Sequence, residues 1–327
     1  MIVSIFKKNY FLQLILLTII PVLLWMPAFV SHPAIISGNT PDMPLFNLVR
    51  SVFPESGFIN TLTAFILTVA QALLINYIFT YYELTKKNSY FPAFIYILLF
   101  SCDYRIMTLS SILFANCFII LAIFSFLQCY NKNEGLDQIF LTSFWVAIAS
   151  LFYAPYILFM FWIWIGLFNF KIYKWRSFIV SIFGMFSPYV VLMVIYYLEN
   201  KTELIQNFLS LHFALLPQFT FLNEPIQIVY MGYLLILTLP ALFCTLSYRN
   251  EQKLSVRKRS AAIVIMFLVS LIPFLYTTDF PVMSLILAPA TAFMFTVFFF
   301  SIKRHLYSNL FIGILVILTI AKIYINY

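Results

Sequence analysis

Long apolar runs recur along this chain with so few charges inside them that water cannot be the main solvent of its fold. They fall at residues 10–30, 59–82, 91–102, 107–129, 139–153, 155–170, 177–198, 228–247, 261–277, 283–301 and 308–325. A run of about 20 apolar residues crosses the hydrocarbon core of a bilayer as an α-helix. In lipid every backbone N–H and C=O must be bonded within the protein, which leaves helices and closed barrels. The runs here are continuous rather than alternating in segments of about ten residues, which argues against a barrel. Only 9% of the 327 residues are charged, against roughly 25% in a soluble domain. The expected fold class is therefore all-α: a polytopic transmembrane helical bundle of about 11 membrane segments including two short hairpins.

Charge sets the orientation. The first run follows Lys7 and Lys8, is long enough to span, and has no small-residue cleavage site behind it, so it reads as a retained helix. With the N-terminus in the cytoplasm and the segments alternating, fifteen of the 19 basic residues fall on the cytoplasmic side. Arg50, Arg105, Lys201 and Lys322 fall outside or near the outer end. The opposite orientation would invert that ratio and break the positive-inside rule. The same count accounts for the net charge of +8, so no nucleic-acid partner is expected. The four cysteines, Cys102, Cys117, Cys129 and Cys244, lack metal-like spacing; no metal is expected, and the sequence names no cofactor.

Two segments are too short for the bilayer. Residues 91–102 rise only about 18 Å as helix, against about 30 Å of hydrocarbon. Lys86 and Lys87 before this run and Lys132 after the next must both stay inside. The turn Asp103-Tyr104-Arg105 is therefore expected below the outer surface. Residues 139–170 pose the same problem between Lys132 and Lys171, and Pro155 interrupts them, so a second short hairpin is expected around Tyr153-Ala154-Pro155-Tyr156. Stubby hairpins leave an indentation on the outer side.

The outer loops, residues 31–58 and 199–227, carry interfacial helices. In the first, Leu45, Leu48, Val49, Val52 and Phe53 recur at helical spacing with Asn47, Arg50 and Ser51 between them, the pattern of an amphipathic surface helix. No repeat or linker divides the chain, so residues 1–327 read as a single integral membrane domain.

Acidic residues concentrate outside: Asp42, Glu55, Asp103, Glu199, Glu203, Glu224 and Asp279. Asp103 beside Arg105 at a sunken tip would be expensive unless paired or hydrated. It reads either as a site, with Asp103 on a sugar hydroxyl or metal and Arg105 on a phosphate, or as a helix-end ion pair. Asp42 reads either as a general base or as the N-cap of the surface helix. Arg50 on that helix and His212 in the second outer loop are the remaining candidate substrate contacts.

The order of features resembles the C-type membrane glycosyltransferases. In that superfamily an acidic residue follows the first span in a long outer loop, and a second acidic motif lies between the third and fourth spans. Asp42 and Asp103 occupy matching positions. Residues 109–116 (LSSILFAN) look like the start of that superfamily's fourth span, and residues 139–170 with the basic turn at 171–176 are also similar. The chain further resembles inner-membrane proteins of about eleven spans found in Bacteroidota. The first resemblance implies transfer of a sugar from a polyprenyl-phosphate donor at the periplasmic face, with catalytic Asp42 and Asp103 and substrate-binding Arg50, Arg105 and His212. The implied location is the bacterial inner membrane, and the implied partners are membrane lipid, a polyprenyl-phosphate sugar and other membrane proteins. Two alternatives stand beside it: a non-catalytic membrane subunit that scaffolds envelope or secretion machinery, and a transporter or lipid flippase.

Overall fold

In a computed structural model the chain is an all-α bundle. The structure describes residue 6 and residues 10–33, 43–53, 57–85, 89–132, 135–198, 225–275, 280–302 and 305–326. Twelve α-helices run through these residues: α1 Tyr10–Ser31, α2 Pro44–Val52, α3 Phe58–Tyr81, α4 Phe91–Phe100, α5 Ser111–Gln128, α6 Leu136–Phe152, α7 Phe159–Phe170, α8 Trp175–Leu198, α9 Pro225–Asn250, α10 Leu254–Ser270, α11 Phe280–Ser301 and α12 His305–Asn326. Among the described residues there is no strand. Seven of the helices, α1, α3, α5, α8, α9, α11 and α12, are long and apolar enough to cross a membrane. This is a multi-pass membrane protein.

Both short segments end as the sequence predicts. Helix α4 has only ten residues, all of them buried. A 3-10 turn, Tyr104–Ile106, follows, and α5 starts only at Ser111, where the Ser110 hydroxyl accepts from the Leu113 N–H at 3.3 Å. That cap satisfies one of the donors a helix start leaves open. The second break is at Tyr153, which is extended (φ −148°, ψ 107°). Pro155 then opens the 3-10 helix Ala154–Leu158, which leads into α7.

Packing differs from the sequence expectation in three places. The surface helix is α2, shorter than residues 43–58, and it lies against α6. Phe46, absent from the expected apolar face, is buried, whereas Leu48 and Val52 are exposed. The inward face is centred on Phe46 with Leu45, Val49 and Phe53 beside it, because a protein neighbour rather than a flat surface sets the rotation. The basic cluster Arg257-Lys258-Arg259 lies inside α10, which starts before the apolar run at 261. Lys322 is not at a solvated outer end but fully buried.

Helix α11 is the axis of the bundle and packs against α4, α5, α9 and α10. Helices α6 and α8 approach so closely at Gly184 that a Cβ there would lie 2.6 Å from the Phe140 carbonyl oxygen. Apolar burial gives little net drive between helices in lipid, so close contact and interhelical hydrogen bonds do the sorting. Buried amides supply them. The Gln71 side chain donates to Leu113 O at 2.8 Å and accepts from the Tyr96 hydroxyl at 2.6 Å. Asn116 donates to Leu285 O at 3.0 Å and accepts from the Tyr156 hydroxyl at 2.6 Å.

Candidate functional site

The turn after α4 is where the tertiary structure concentrates its polar contacts. Four consecutive residues are each held by another helix. Ser101 accepts a hydrogen bond from the Trp25 indole N–H of α1 at 2.9 Å. The Cys102 sulfur lies 3.0 Å from the Ser284 hydroxyl of α11. The Asp103 carboxylate meets the Lys322 ammonium of α12 at 3.3 Å, both side chains being 0% exposed. The Tyr104 hydroxyl is hydrogen-bonded to that of Ser31, at the end of α1.

The ammonium of Lys322 also sits 5.1 Å from the ring centre of Tyr230 on α9, itself fully buried. The face of an aromatic ring attracts a cation, more so where water is excluded. Lys322 is thus set between a carboxylate and a π face, and the ammonium and the carboxylate offset each other's charge in a dry environment. Burying two such charges is tolerable only as a well-placed pair.

The sequence-predicted site residues divide accordingly. Asp103 lies in the turn after the short helix α4, and Lys322 is an ion-pair partner that the sequence reading did not name. Arg105 lies in the 3-10 turn just after it, with its side chain outside the described residues. Arg50 lies in the last turn of α2, half-buried, on a helix that packs against α6. Asp103 is paired with α12, whose Lys322 faces Tyr230 of α9, and the neighbours of Asp103 are held by α1 and α11. Asp42 and His212 fall outside the described residues. Among the described residues no group of three His, Cys, Asp or Glu side chains converges as a metal site would require.

Lys322, Tyr230 and Ser284 are the residues that sequence reasoning missed. One signal was present for Lys322: it is a lone cation near the end of an apolar run, and such a residue calls for a named intramembrane partner. Nothing in the sequence marked Tyr230 or Ser284.

No family model, no curated protein and no solved structure matches the chain. Functional reasoning therefore rests on this site and on the charge distribution.

Proposed function

We propose that this chain is a non-catalytic multi-pass subunit of the bacterial cytoplasmic membrane that scaffolds envelope or secretion machinery. One observation carries the reading: the Asp103–Lys322 pair is closed. A general base must come within hydrogen-bond reach of the proton it takes, directly or through one water. A carboxylate with no exposed surface and a lysine at 3.3 Å is suited instead to pinning the α4–α5 turn against α12. The bundle has wide apolar faces for lipid or for a partner's helices: only 22% of the apolar stretch of α8, and 22% of that of α9, is buried.

A second reading is favoured by the position of the same pair. Asp103 stands at the sunken tip where a glycosyltransferase of the C type has its second acidic motif, and Lys322 puts a cation beside it. Cations aimed at a leaving phosphate are what such a transfer uses. In that reading Asp42 deprotonates the acceptor, and the pair opens to admit a polyprenyl-phosphate sugar at the outer face.

Replacing both charges separates the two. In the scaffold reading, the Asp103→Asn/Lys322→Met double variant accumulates normally in the membrane and complements a deletion strain, because removing a buried pair together is often neutral. Normal accumulation with lost complementation would reject the scaffold and favour transfer. Asp42→Asn, assayed in the same strain, asks the same question of the outer loop.

A further inference from the structure

At the opposite end of the bundle lies a cavity of about 730 Å³, within the usual range for a small-ligand site. Two turns and a helix start build it: the turn after α5, the turn between α7 and α8, and the first residues of α10. Five cations line it, Lys132, Lys171, Lys174, Arg257 and Lys258, and among the described residues none of the lining is acidic. Its inner wall is aromatic. Phe170 and Tyr130 meet edge to face at 5.7 Å. Tyr173 on the lining and Trp175 at the start of α8 are exposed. Exposed Tyr and Trp at a helix end mark the headgroup level of a membrane.

The positive-inside rule accounts for basic loops on this side, but not for their convergence. That rule is met by scattered, solvated charges, whereas like charges around one hollow repel. Two features hold them there. The Lys258 ammonium donates to Asn169 O at 2.6 Å, and the Asn169 amide donates back to Lys258 O at 2.8 Å, so α7 and α10 are stapled at the rim. Lys171 caps α7 in the left-handed conformation (φ 63°), with its N–H bonded to the carbonyls of Leu167 and Phe168. Glycine or asparagine usually takes that position; a lysine there carries a charge in place of an easy turn. Loss of hydration at Lys258, followed by the nearness of Lys171, Arg257 and Arg249, lowers its ammonium pKa below the ordinary lysine value. Among the described residues the hollow is thus short of negative charge.

We propose that this cytoplasmic-side cavity binds the phosphate-bearing headgroup of an anionic lipid, the phosphates lying among Lys132, Lys171, Arg257 and Lys258 and the acyl chains leaving past Tyr173. Basic pockets between helices at the cytoplasmic face suit such headgroups. A lipid is favoured over a free phosphate because the mouth opens at headgroup level. The inference is independent of the role of Asp103.

The test uses the full-length protein purified in detergent, titrated with cardiolipin, with phosphatidylcholine and with inorganic pyrophosphate. Cardiolipin is expected to bind and raise the unfolding temperature, and phosphatidylcholine to do neither. Lys171→Gln/Arg257→Gln should weaken cardiolipin binding by roughly 30-fold. Lys303→Gln/Arg304→Gln, an equal loss of charge at another basic stretch of the sequence, should leave it within about twofold of wild type. Lys171→Gly, which suits the left-handed backbone, should fold well and still bind more weakly. Equal weakening by the two double variants would mean diffuse surface attraction and overturn the site. Pyrophosphate binding as tight as cardiolipin binding would overturn the lipid source in favour of a soluble phosphate ligand.

Discussion

The two ends of the bundle handle charge in opposite ways. At the Asp103 end a single carboxylate and a single ammonium are sealed together, with no exposed surface on either. At the other end five cations share one open hollow with no acid among its described lining residues. The first arrangement is one that burial demands: an ion without water needs a counter-ion inside the protein. The second is tolerable because water and salt screen it, with a Debye length of about 8 Å at physiological ionic strength. Whether a charge acts within the fold or toward a ligand therefore follows from its access to water. High salt should weaken cardiolipin binding at the open end and leave the sealed pair untouched.

Breaking the sealed end should give the largest effect. Lys322→Met alone removes the buried counter-ion of the Asp103 carboxylate and should cost about 3–5 kcal/mol, seen as a fall in unfolding temperature in detergent and in membrane abundance. Addition of Asp103→Asn should restore most of that loss. A single variant as stable as wild type would mean the pair is not dry.

The contrast sharpens within the basic end itself. Arg259 neighbours the hollow in sequence but behaves like the sealed end. Its guanidinium lies 4.6 Å from the Tyr82 ring centre and 5.4 Å from that of Tyr130, and its Nε–H donates to Leu127 O at 3.2 Å. Arg259→Met should therefore lower stability by about 1–2 kcal/mol while changing cardiolipin affinity much less than Lys171→Gln/Arg257→Gln does. If affinity fell and stability held, Arg259 would belong with the ligand-facing cations.

Lys171→Gly should give the smallest change. Relief of the left-handed backbone and the greater freedom of glycine in the unfolded chain largely cancel, so stability should stay within about 0.5 kcal/mol of wild type in thermal unfolding. A loss well beyond that would show that the lysine side chain is part of the packing, not of an anion site.

Much of this was legible in the residues. Eleven of the twelve helices coincide with apolar runs, since backbone satisfaction in lipid forces helix wherever a run is long enough. The stub at residues 91–102 and the break at Pro155 followed from the length of chain available. Asp103 could be picked out because a carboxylate at a sunken tip needs a partner. Arg105, next in the chain but one, was the nearest candidate in sequence; a partner that only the fold supplies is Lys322 on α12. The hollow was not legible, because its cations come from two separate turns and the first residues of a third element, α10.

Composition and charge by themselves determined that this chain is a helical membrane protein and predicted which ends of its helices face the cytoplasm, because transfer free energies act on each segment alone. Only the tertiary structure decided which segments became the core. Helices α8 and α11 are comparably apolar, yet 22% of the apolar stretch of one is buried and 89% of the other. In lipid both positions are equally comfortable for an apolar side chain. The choice falls instead to close contacts such as Gly184 against Phe140, to the amide bonds of Gln71 and Asn116, and to the ion pair that ties Asp103 to Lys322.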